Sequence, residues 1–211
     1  MNYTELKAQI QNFSENYSSE FESTIPTFVE QAEQRIYNTV ELPALRKNVT
    51  GNVTANNKYL ATPSDYLSTF SLAVVDTDGS YQYLLDKDVN FIREAYPIPT
   101  ATGLPKFYGQ FDNNTFIIGP TPNASYGMEL HYFYYPESIV TAGTSWLGDN
   151  FDSVLLYGAL VEAATYMKGE TDLINQYTKQ YSEAMVLLKQ LGDGKLRQDA
   201  YRSGQVRDAV R

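Results

Sequence analysis

The spacing of apolar residues changes twice along the chain, and this change constrains the fold more than any other feature. Near both ends, apolar residues recur every three or four positions, as on one face of an α-helix. Between Pro43 and Asp149 they occur in short alternating runs that end at Pro, Gly or Asn, which is typical of strands and turns. The sequence therefore predicts an α+β fold. Helices from both ends form one bundle, and a mostly antiparallel β-region is inserted between them.

Three segments of the chain follow from this pattern. The predicted helical bundle domain comprises residues 1–43 and 149–193, and the inserted β-rich domain comprises residues 44–148. Residues 194–211 are predicted to form an extended C-terminal arm, because they hold too few apolar side chains to bury a core of their own. Such a segment is either a frayed end or an arm that becomes ordered on a partner.

The first half of the bundle is predicted to contain two helices. A short helix over residues 3–11 is followed by a polar connector over residues 11–23. A longer amphipathic helix then begins after Thr24, which can cap it. Pro26 falls in its first turn, where a missing N–H costs nothing. Pro43 is expected to end this helix.

The second half of the bundle is also predicted to contain two helices, after a loop over residues 141–150. Asp149 or Asn150 is expected to cap the first of them. Its glycines and alanines allow a neighbouring helix to approach closely. The second helix is expected to end at Gly192 and Gly194.

The inserted region is expected to consist of short strands and tight turns, with one short helix over residues 87–95 that Asp86 caps. The candidate strands are 45–54, 57–61, 69–76, 80–85, 106–111, 114–118 and 126–135. The last of these is apolar on both faces. This pattern predicts either a central strand or a strand with one face covered by another subunit.

Residues suited to catalysis or metal binding are sparse in this chain. Cys is absent, which excludes thiolate chemistry, disulfides and Cys-ligated metals. His131 is the only histidine; because it is flanked by aromatic residues, we interpret it as packed or interfacial rather than catalytic. The sequence contains no nucleotide-binding or nucleophile motif. We therefore expect no catalytic residue, no metal site and no cofactor.

Pairs of aspartates are the remaining candidates for acid–base chemistry. The pairs are Asp76 with Asp78, Asp86 with Asp88, and Asp149 with Asp152. Their positions beside glycines or at helix starts favour turn and cap roles. Two carboxylates together with Trp146 would also suit glycoside hydrolysis. A polysaccharide-binding or polysaccharide-cleaving protein is therefore one alternative function.

Charge is unevenly distributed along the chain. The formal net charge is −9 at pH 7, yet residues 194–211 hold five basic and two acidic side chains, which leaves −12 for residues 1–193. An acidic body argues against tight nucleic-acid binding, because that needs a basic face. No apolar run reaches the roughly 18 residues of a membrane span, and no signal peptide opens the chain. We expect a protein made in the cytoplasm that has no membrane partner.

Four stretches of sequence carry a resemblance to a known family. They are FVEQAEQRIYNTVELPALRK (28–47), LHYFYYPES (130–138), TSWLGDN (144–150) and DAYRSGQVR (199–207). Together they resemble tailed-phage virion proteins of the adaptor or head-to-tail connector family, over almost the whole chain. The residues of these motifs suit structural roles rather than chemical ones. The motifs therefore indicate the family, but they say less about the role of any single residue.

The resemblance implies an architecture for the assembled protein. Twelve subunits would form a homo-oligomeric ring beneath the portal protein, in the neck of the virion. The ring would join the portal to a tail nozzle, tube or neck protein. It would also enclose DNA during ejection without binding it specifically. A ring component elsewhere in the neck or tail is the alternative of the same kind.

Three sets of residues are candidates for these contacts. The C-terminal arm would bind the portal through Lys195, Leu196, Arg197, Tyr201, Arg202, Val206 and Arg207. Arg207 could equally reach a neighbouring subunit. The β-region would contact the tail through Tyr81, Tyr83, Phe107, Tyr108 and Phe116. The solvent-exposed faces of the bundle helices would line the lumen with Glu30, Glu33, Glu162, Asp172 and Glu183. Their charge would let DNA slide without adhering.

Overall fold

The computed structural model describes residues 1–76, 78–98 and 100–196, with side chains described up to residue 191 in the last helix. The chain divides into two compact units. One comprises Met1–Leu45 and the chain from Pro136 onward, and the other comprises Arg46–Tyr135. The first is helical and the second is built mainly from antiparallel strands, so the predicted α+β fold is confirmed.

The helices of the first unit come from both ends of the chain. They are α1 (Tyr3–Ser14), α2 (Ser19–Thr39), α4 (Ile139–Ala142), α5 (Trp146–Asn150), α6 (Asp152–Tyr166) and α7 (Thr171–Leu196), and the second unit contains α3 (Val89–Ala95). Helix α6 packs against α1, α2 and α7, which confirms that N- and C-terminal helices form one bundle. A Cβ added at Gly158 of α6 would lie 3.1 Å from Ala32 Cβ and 3.2 Å from the Tyr181 ring, so the missing side chain permits this close approach.

The predicted start of α2 is wrong, because the predicted cap, Thr24, lies six residues after the observed cap, Ser18. The helix begins at Ser19, after the cap Ser18, whose Oγ accepts a hydrogen bond from Phe21 N at 3.4 Å. Thr24 is therefore not the cap, and Pro26 lies inside the helix. The start is set by Phe21, which is fully buried and extends the apolar stripe toward the N-terminus.

Two predicted boundaries near the C-terminus are also wrong. Asp149 and Asn150 do not cap α6, because both lie inside α5, whose cap Ser145 accepts from Gly148 N at 3.1 Å. Phe151 precedes α6 without a side-chain cap bond. Helix α7 was expected to end at Gly192 and Gly194, but it continues through both of them to Leu196. A glycine inside a helix costs only about 1 kcal/mol and does not by itself end the helix.

The second unit contains two four-stranded sheets. The strands are β1 (Arg46–Val53), β2 (Tyr59–Ala61), β3 (Ser68–Val75), β4 (Tyr81–Tyr83), β5 (Leu85–Asp86), β6 (Thr102–Gly103), β7 (Phe107–Asp112), β8 (Thr115–Gly119), β9 (Thr121–Pro122) and β10 (Tyr126–Phe133). The first sheet has the order β1-β10-β3-β4 and is antiparallel, and the second has the order β2-β8-β7-β5. The predicted strand over 80–85 is divided between β4 and β5, and the short β6–β9 pair was not predicted.

Side chains from both sheets form one core. Alternate residues of β10, such as Met128, Leu130 and Tyr132, are buried in it together with Phe116 and Ile118 of β8. Strand β10 lies between β1 and β3, which confirms the central-strand alternative.

Helix α3 packs on β7 and β8 of the second sheet. Asp88 caps this helix rather than Asp86, and its side chain accepts from Asn90 N at 2.7 Å. A Cβ at Gly119 would lie 2.8 Å from Ile92 Cγ2, so the glycine lets the helix approach the sheet.

Candidate interaction surfaces

The five aromatic residues predicted to contact the tail separate into two groups. Tyr81 and Tyr83 on β4 are 55% and 67% exposed, and Phe107 is half-buried. Tyr108 and Phe116 lie in the core between the sheets, so their assignment to an outer surface is wrong. Burial raises the pKa of Tyr108 to about 12. The physical reason is the alternation of side chains along a strand, which turns residues 108 and 116 toward the opposite sheet.

The outer face of the first sheet carries a polar network centred on Glu129. Its carboxylate accepts from Asn48 Nδ2 and from the Tyr81 side chain, and Oε1 lies 3.2 Å from His131 Nε2. These bonds, led by that from Asn48, lower the pKa of Glu129, while the bond to Glu129 raises the pKa of Tyr81. His131 thus lies on a strand face within a network whose side chains come from three strands, β1, β4 and β10.

An aromatic–cation stack lies on the same strands. The Arg46 guanidinium is 4.0 Å from the centre of the Phe70 ring and 5.2 Å from that of Phe133. Phe70 is 52% exposed. Sequence analysis missed this stack, because it depends on a register shift between His131 and Tyr132 that leaves Phe70 without a partner in the β3–β10 register.

A second aromatic–cation surface surrounds α3. Three cations of this unit lie over half-exposed rings, at 5.4–5.6 Å from the ring centres. The pairs are Lys58 with Tyr59, Lys87 with Phe91, and Arg93 with Phe111. The Tyr59 and Phe111 rings lie 5.3 Å apart, so the surface is continuous from β2 to α3. No local motif in the sequence marks this surface, since its rings are distant along the chain.

The aspartates considered for catalysis have structural roles where the structure shows their bonds. Asp78 Oδ1 accepts from Ser80 N at 2.9 Å within the β3–β4 turn, and Asp88 caps α3. Trp146 stacks on Phe151 with ring centres 6.0 Å apart.

Over residues 1–76, 78–98 and 100–196, no group of three His, Cys, Asp or Glu side chains is placed to hold a metal ion. None of the helices described is long and apolar enough to span a bilayer.

Three of the five predicted lumen carboxylates are exposed. These are Glu30, Asp172 and Glu183, of which Glu183 lies 3.9 Å from Lys179 Nζ. Glu162 is only partly exposed and forms an ion pair with Arg35 of α2. This pair links α2 and α6 within one chain.

Glu33 does not lie on a solvent-exposed face of the bundle, so the prediction that it lines the lumen is wrong. Its side chain is 3% exposed. The carboxylate accepts from Ile139 N at 3.0 Å and bonds to the Ser138 side chain, so it satisfies the N-terminus of α4. Burial is the main reason that the pKa of Glu33 is raised.

The predicted portal-binding arm lies mostly outside the described residues. The backbone of Lys195 and Leu196 belongs to the end of α7, so the arm does not begin at residue 194. Arg197, Tyr201, Arg202, Val206 and Arg207 fall outside the part of the chain that the structure describes. Their contacts remain a prediction.

Comparison with known proteins includes a family match over nearly the whole chain. A family model described as SU10 adaptor protein matches residues 1–208. None of the curated proteins matches the chain. Among solved structures, it is similar to a chain in the neck of an empty GTA particle computed with C6 symmetry. The identity is 11%, over 81% of this chain and 87% of that one. The TM-score of that comparison, 0.26, is too low to establish a shared fold.

Proposed function

Because the chain belongs to the SU10 adaptor protein family, we propose that it is the head-to-tail adaptor of a tailed phage. Twelve copies form a ring beneath the portal, join the portal to the tail and enclose the path of the DNA. The observation that carries this proposal is the family match, which covers both structural units and extends to residue 208. The protein acts as a passive conduit and carries out no reaction, so it needs no cofactor.

The distribution of charge supports a conduit made from the helical unit. Up to residue 196 this unit has fifteen acidic and six basic side chains, whereas the β unit has eight and six. Residues 197–211 have four arginines and two aspartates. A ring wall with a net charge of −9 per subunit repels DNA phosphates, so DNA slides along it without adhering. The basic C-terminal segment is suited to acidic groups on the portal.

Truncation after Leu196 tests the portal contact. This position keeps the whole α7 backbone, which a truncation after Gly194 would shorten. We expect the truncated protein to unfold at the temperature of the full chain but to lose assembly on purified portals, because the arm supplies both steering charges and apolar anchors. Assembly is read by sedimentation and electron microscopy of the portal complex.

The full-length chain with Arg197, Arg202 and Arg207 changed to Glu is the companion variant. It keeps the length of the arm and reverses its charge, so we expect the same loss of assembly. Portal binding equal to that of the unaltered chain in both variants would show that the arm is a frayed end. Ring formation without any portal binding by the unaltered chain would favour a ring component elsewhere in the neck or tail.

The double substitution Tyr81→Ser and Tyr83→Ser tests the tail-side contact. Both side chains are exposed, so the fold and the portal assembly should persist, while tail attachment falls at least about tenfold through loss of two aromatic anchors. Attachment is measured as the fraction of tailed particles after in vitro assembly. Tyr17→Ser, at a 66% exposed position of the helical unit, is the matched control. Normal tail attachment in the double variant would place the tail contact elsewhere.

A further inference from the structure

Strand β1 is an open edge of the first sheet. It pairs with β10 along one side over all eight of its residues, and among the described strands it has no neighbour on the other side. Residues 47–52 are exposed without interruption, although their side chains alternate between the two faces. The outer row of backbone N–H and C=O groups is therefore available to another strand.

This edge lacks the protection that exposed edges usually have. Prolines, bulges and inward-pointing charges normally prevent strand addition, but β1 contains no proline and its register with β10 has no shift. Lys47 is bonded to Asp65, with Nζ 2.7 Å from Oδ2, and lies 4.3 Å from the Tyr134 ring centre. Its charge is thus held by its own unit. A Cβ added at Gly51 would meet nothing within 4 Å, so a strand can approach there.

The other end of the same sheet is a second open edge among the described strands. Strand β4 pairs on one side with β3, and all three of its residues are exposed and uncharged. Since every pairing in this sheet is antiparallel, β4 runs opposite to β1. When two copies are placed side by side with the sheet continued, β4 of one lies antiparallel to β1 of the next.

We propose that β4 of one copy pairs with β1 of a second copy, so that the first sheet continues from subunit to subunit. This inference rests on the proposed ring, because a closed ring needs two different surfaces that fit each other on every subunit. The two ends of one sheet meet that requirement, whereas pairing of β1 with itself would produce a closed dimer. Main-chain hydrogen bonds supply the affinity. The Tyr81 and Tyr83 side chains remain on the outer face, free to contact the tail.

Disulfide formation between copies tests this pairing, since the chain has no cysteine of its own. Tyr83 pairs with Ala73, Ala73 pairs with Glu129, and Glu129 pairs with Thr50, so Tyr83 and Thr50 lie on the same face of the sheet. Asn48 and Asn52, two residues before and after Thr50, lie on that face as well. Three double variants combine Tyr83→Cys with Asn48→Cys, Thr50→Cys or Asn52→Cys and cover three registers. Within one chain, two strands separate β1 from β4, about 14 Å, which is too far for a disulfide.

We expect mild oxidation of portal-bound rings to give a ladder of covalent oligomers for at least one double variant. The single variants should stay monomeric on non-reducing gels. Tyr83→Cys with Val49→Cys is the matched control, because residue 49 points to the opposite face of the same strand, and it should also stay monomeric. In the unaltered chain, hydrogen exchange at the β1 amides should slow at least about tenfold on ring assembly.

Other outcomes would overturn the inference in recognisable ways. Rings that assemble on portals without disulfides in any double variant, and without slower exchange in β1, would contradict it and leave the proposed function standing. Covalent oligomers of the single variant Thr50→Cys would show that β1 of one copy pairs with β1 of another. If the unaltered chain formed no ring on portals, the proposed function and this inference would both fail.

Discussion

At the scale of single residues, Glu33 shows that a side chain can be buried where its position in the sequence predicts exposure to solvent. It lies on an amphipathic helix among polar neighbours, yet it is buried and bonded to the first N–H of α4. Burial disfavours the charged form and raises the pKa of Glu33. The native protein therefore binds a proton at this site more readily than the unfolded chain does.

Glu33→Gln should remove a pH dependence of stability. Between the unfolded pKa and the raised native pKa, the unaltered chain loses stability as pH rises, because a buried carboxyl must ionise. Relative to the unaltered chain, Glu33→Gln should gain about 1.4 kcal/mol for each unit by which the pKa is raised, and the gain should level off above the native pKa. Urea unfolding at a series of pH values measures this difference.

Two further variants separate charge from hydrogen bonding at this site. Glu30→Gln removes an exposed carboxyl on the same helix whose charge contributes to the raised pKa of Glu33, so the pH dependence of stability should become weaker but remain. Glu33→Ala leaves the α4 N–H unsatisfied and should lose roughly 1–3 kcal/mol across the whole pH range. A Glu33→Gln difference that is independent of pH would contradict the assignment of Glu33 as a buried, titrating group.

At the scale of elements, α2 shows tertiary packing overriding a local preference. A proline within a helix costs about 3 kcal/mol, because it removes one N–H and crowds the preceding turn. The helix nonetheless extends past Pro26 to Ser19, and Phe21 packs with its ring centre 5.9 Å from that of Phe28. Burial of a phenylalanine stabilises by roughly 1.5–3 kcal/mol, which is comparable with the cost of the proline.

Pro26→Ala should stabilise the protein by roughly 1–2 kcal/mol. The alanine restores the N–H that can donate to Glu22 O, and part of the gain is offset because the unfolded chain becomes less restricted. The midpoint of urea unfolding reports the change. Thr27→Ala, at an exposed neighbouring position, should shift stability by only a few tenths of a kcal/mol. Destabilisation by Pro26→Ala would indicate that the proline is needed where it lies.

At the scale of the whole molecule, charge is segregated between the units. The helical unit holds nearly all of the net negative charge, and the β unit is close to neutral. In the proposed ring this segregation assigns the helical unit to the DNA path and the less charged β unit to protein contacts. Interfaces are depleted in charged side chains and enriched in Tyr and Phe, which matches the exposed rings of the β unit.

The triple substitution of Glu30, Asp172 and Glu183 by Lys should slow DNA ejection. All three side chains are exposed, so the fold should persist, and the lumen would then attract phosphates instead of repelling them. We expect at least about a tenfold slower release at low salt, with recovery as salt screens the attraction. Fluorescence of a DNA-binding dye reports release from assembled particles.

A control with the same change of charge distinguishes the lumen from the rest of the surface. Asp86, Glu94 and Asp112 changed to Lys place the same charge on the β unit, and ejection should then be unaffected. Equal ejection rates for both triple variants and the unaltered chain, at every salt concentration, would exclude these carboxylates from the DNA path.

The class of every long element follows from the amino-acid sequence alone. The spacing of apolar residues indicated the helices of α2, α6 and α7 and the central strand β10, because this spacing follows directly from local backbone geometry. It also carried the resemblance to the adaptor family, since the matching motifs are contiguous in the chain.

Which face of each element lies inside depends on tertiary packing and could not be predicted from the sequence. Phe107 and Tyr108 are adjacent aromatic residues, so periodicity shows that they point to opposite sides of β7 but not which one is buried. Glu33 is likewise buried by a segment more than 100 residues away, α4. The physical reason is that burial depends on which distant element packs on a face, and no local pattern contains that information.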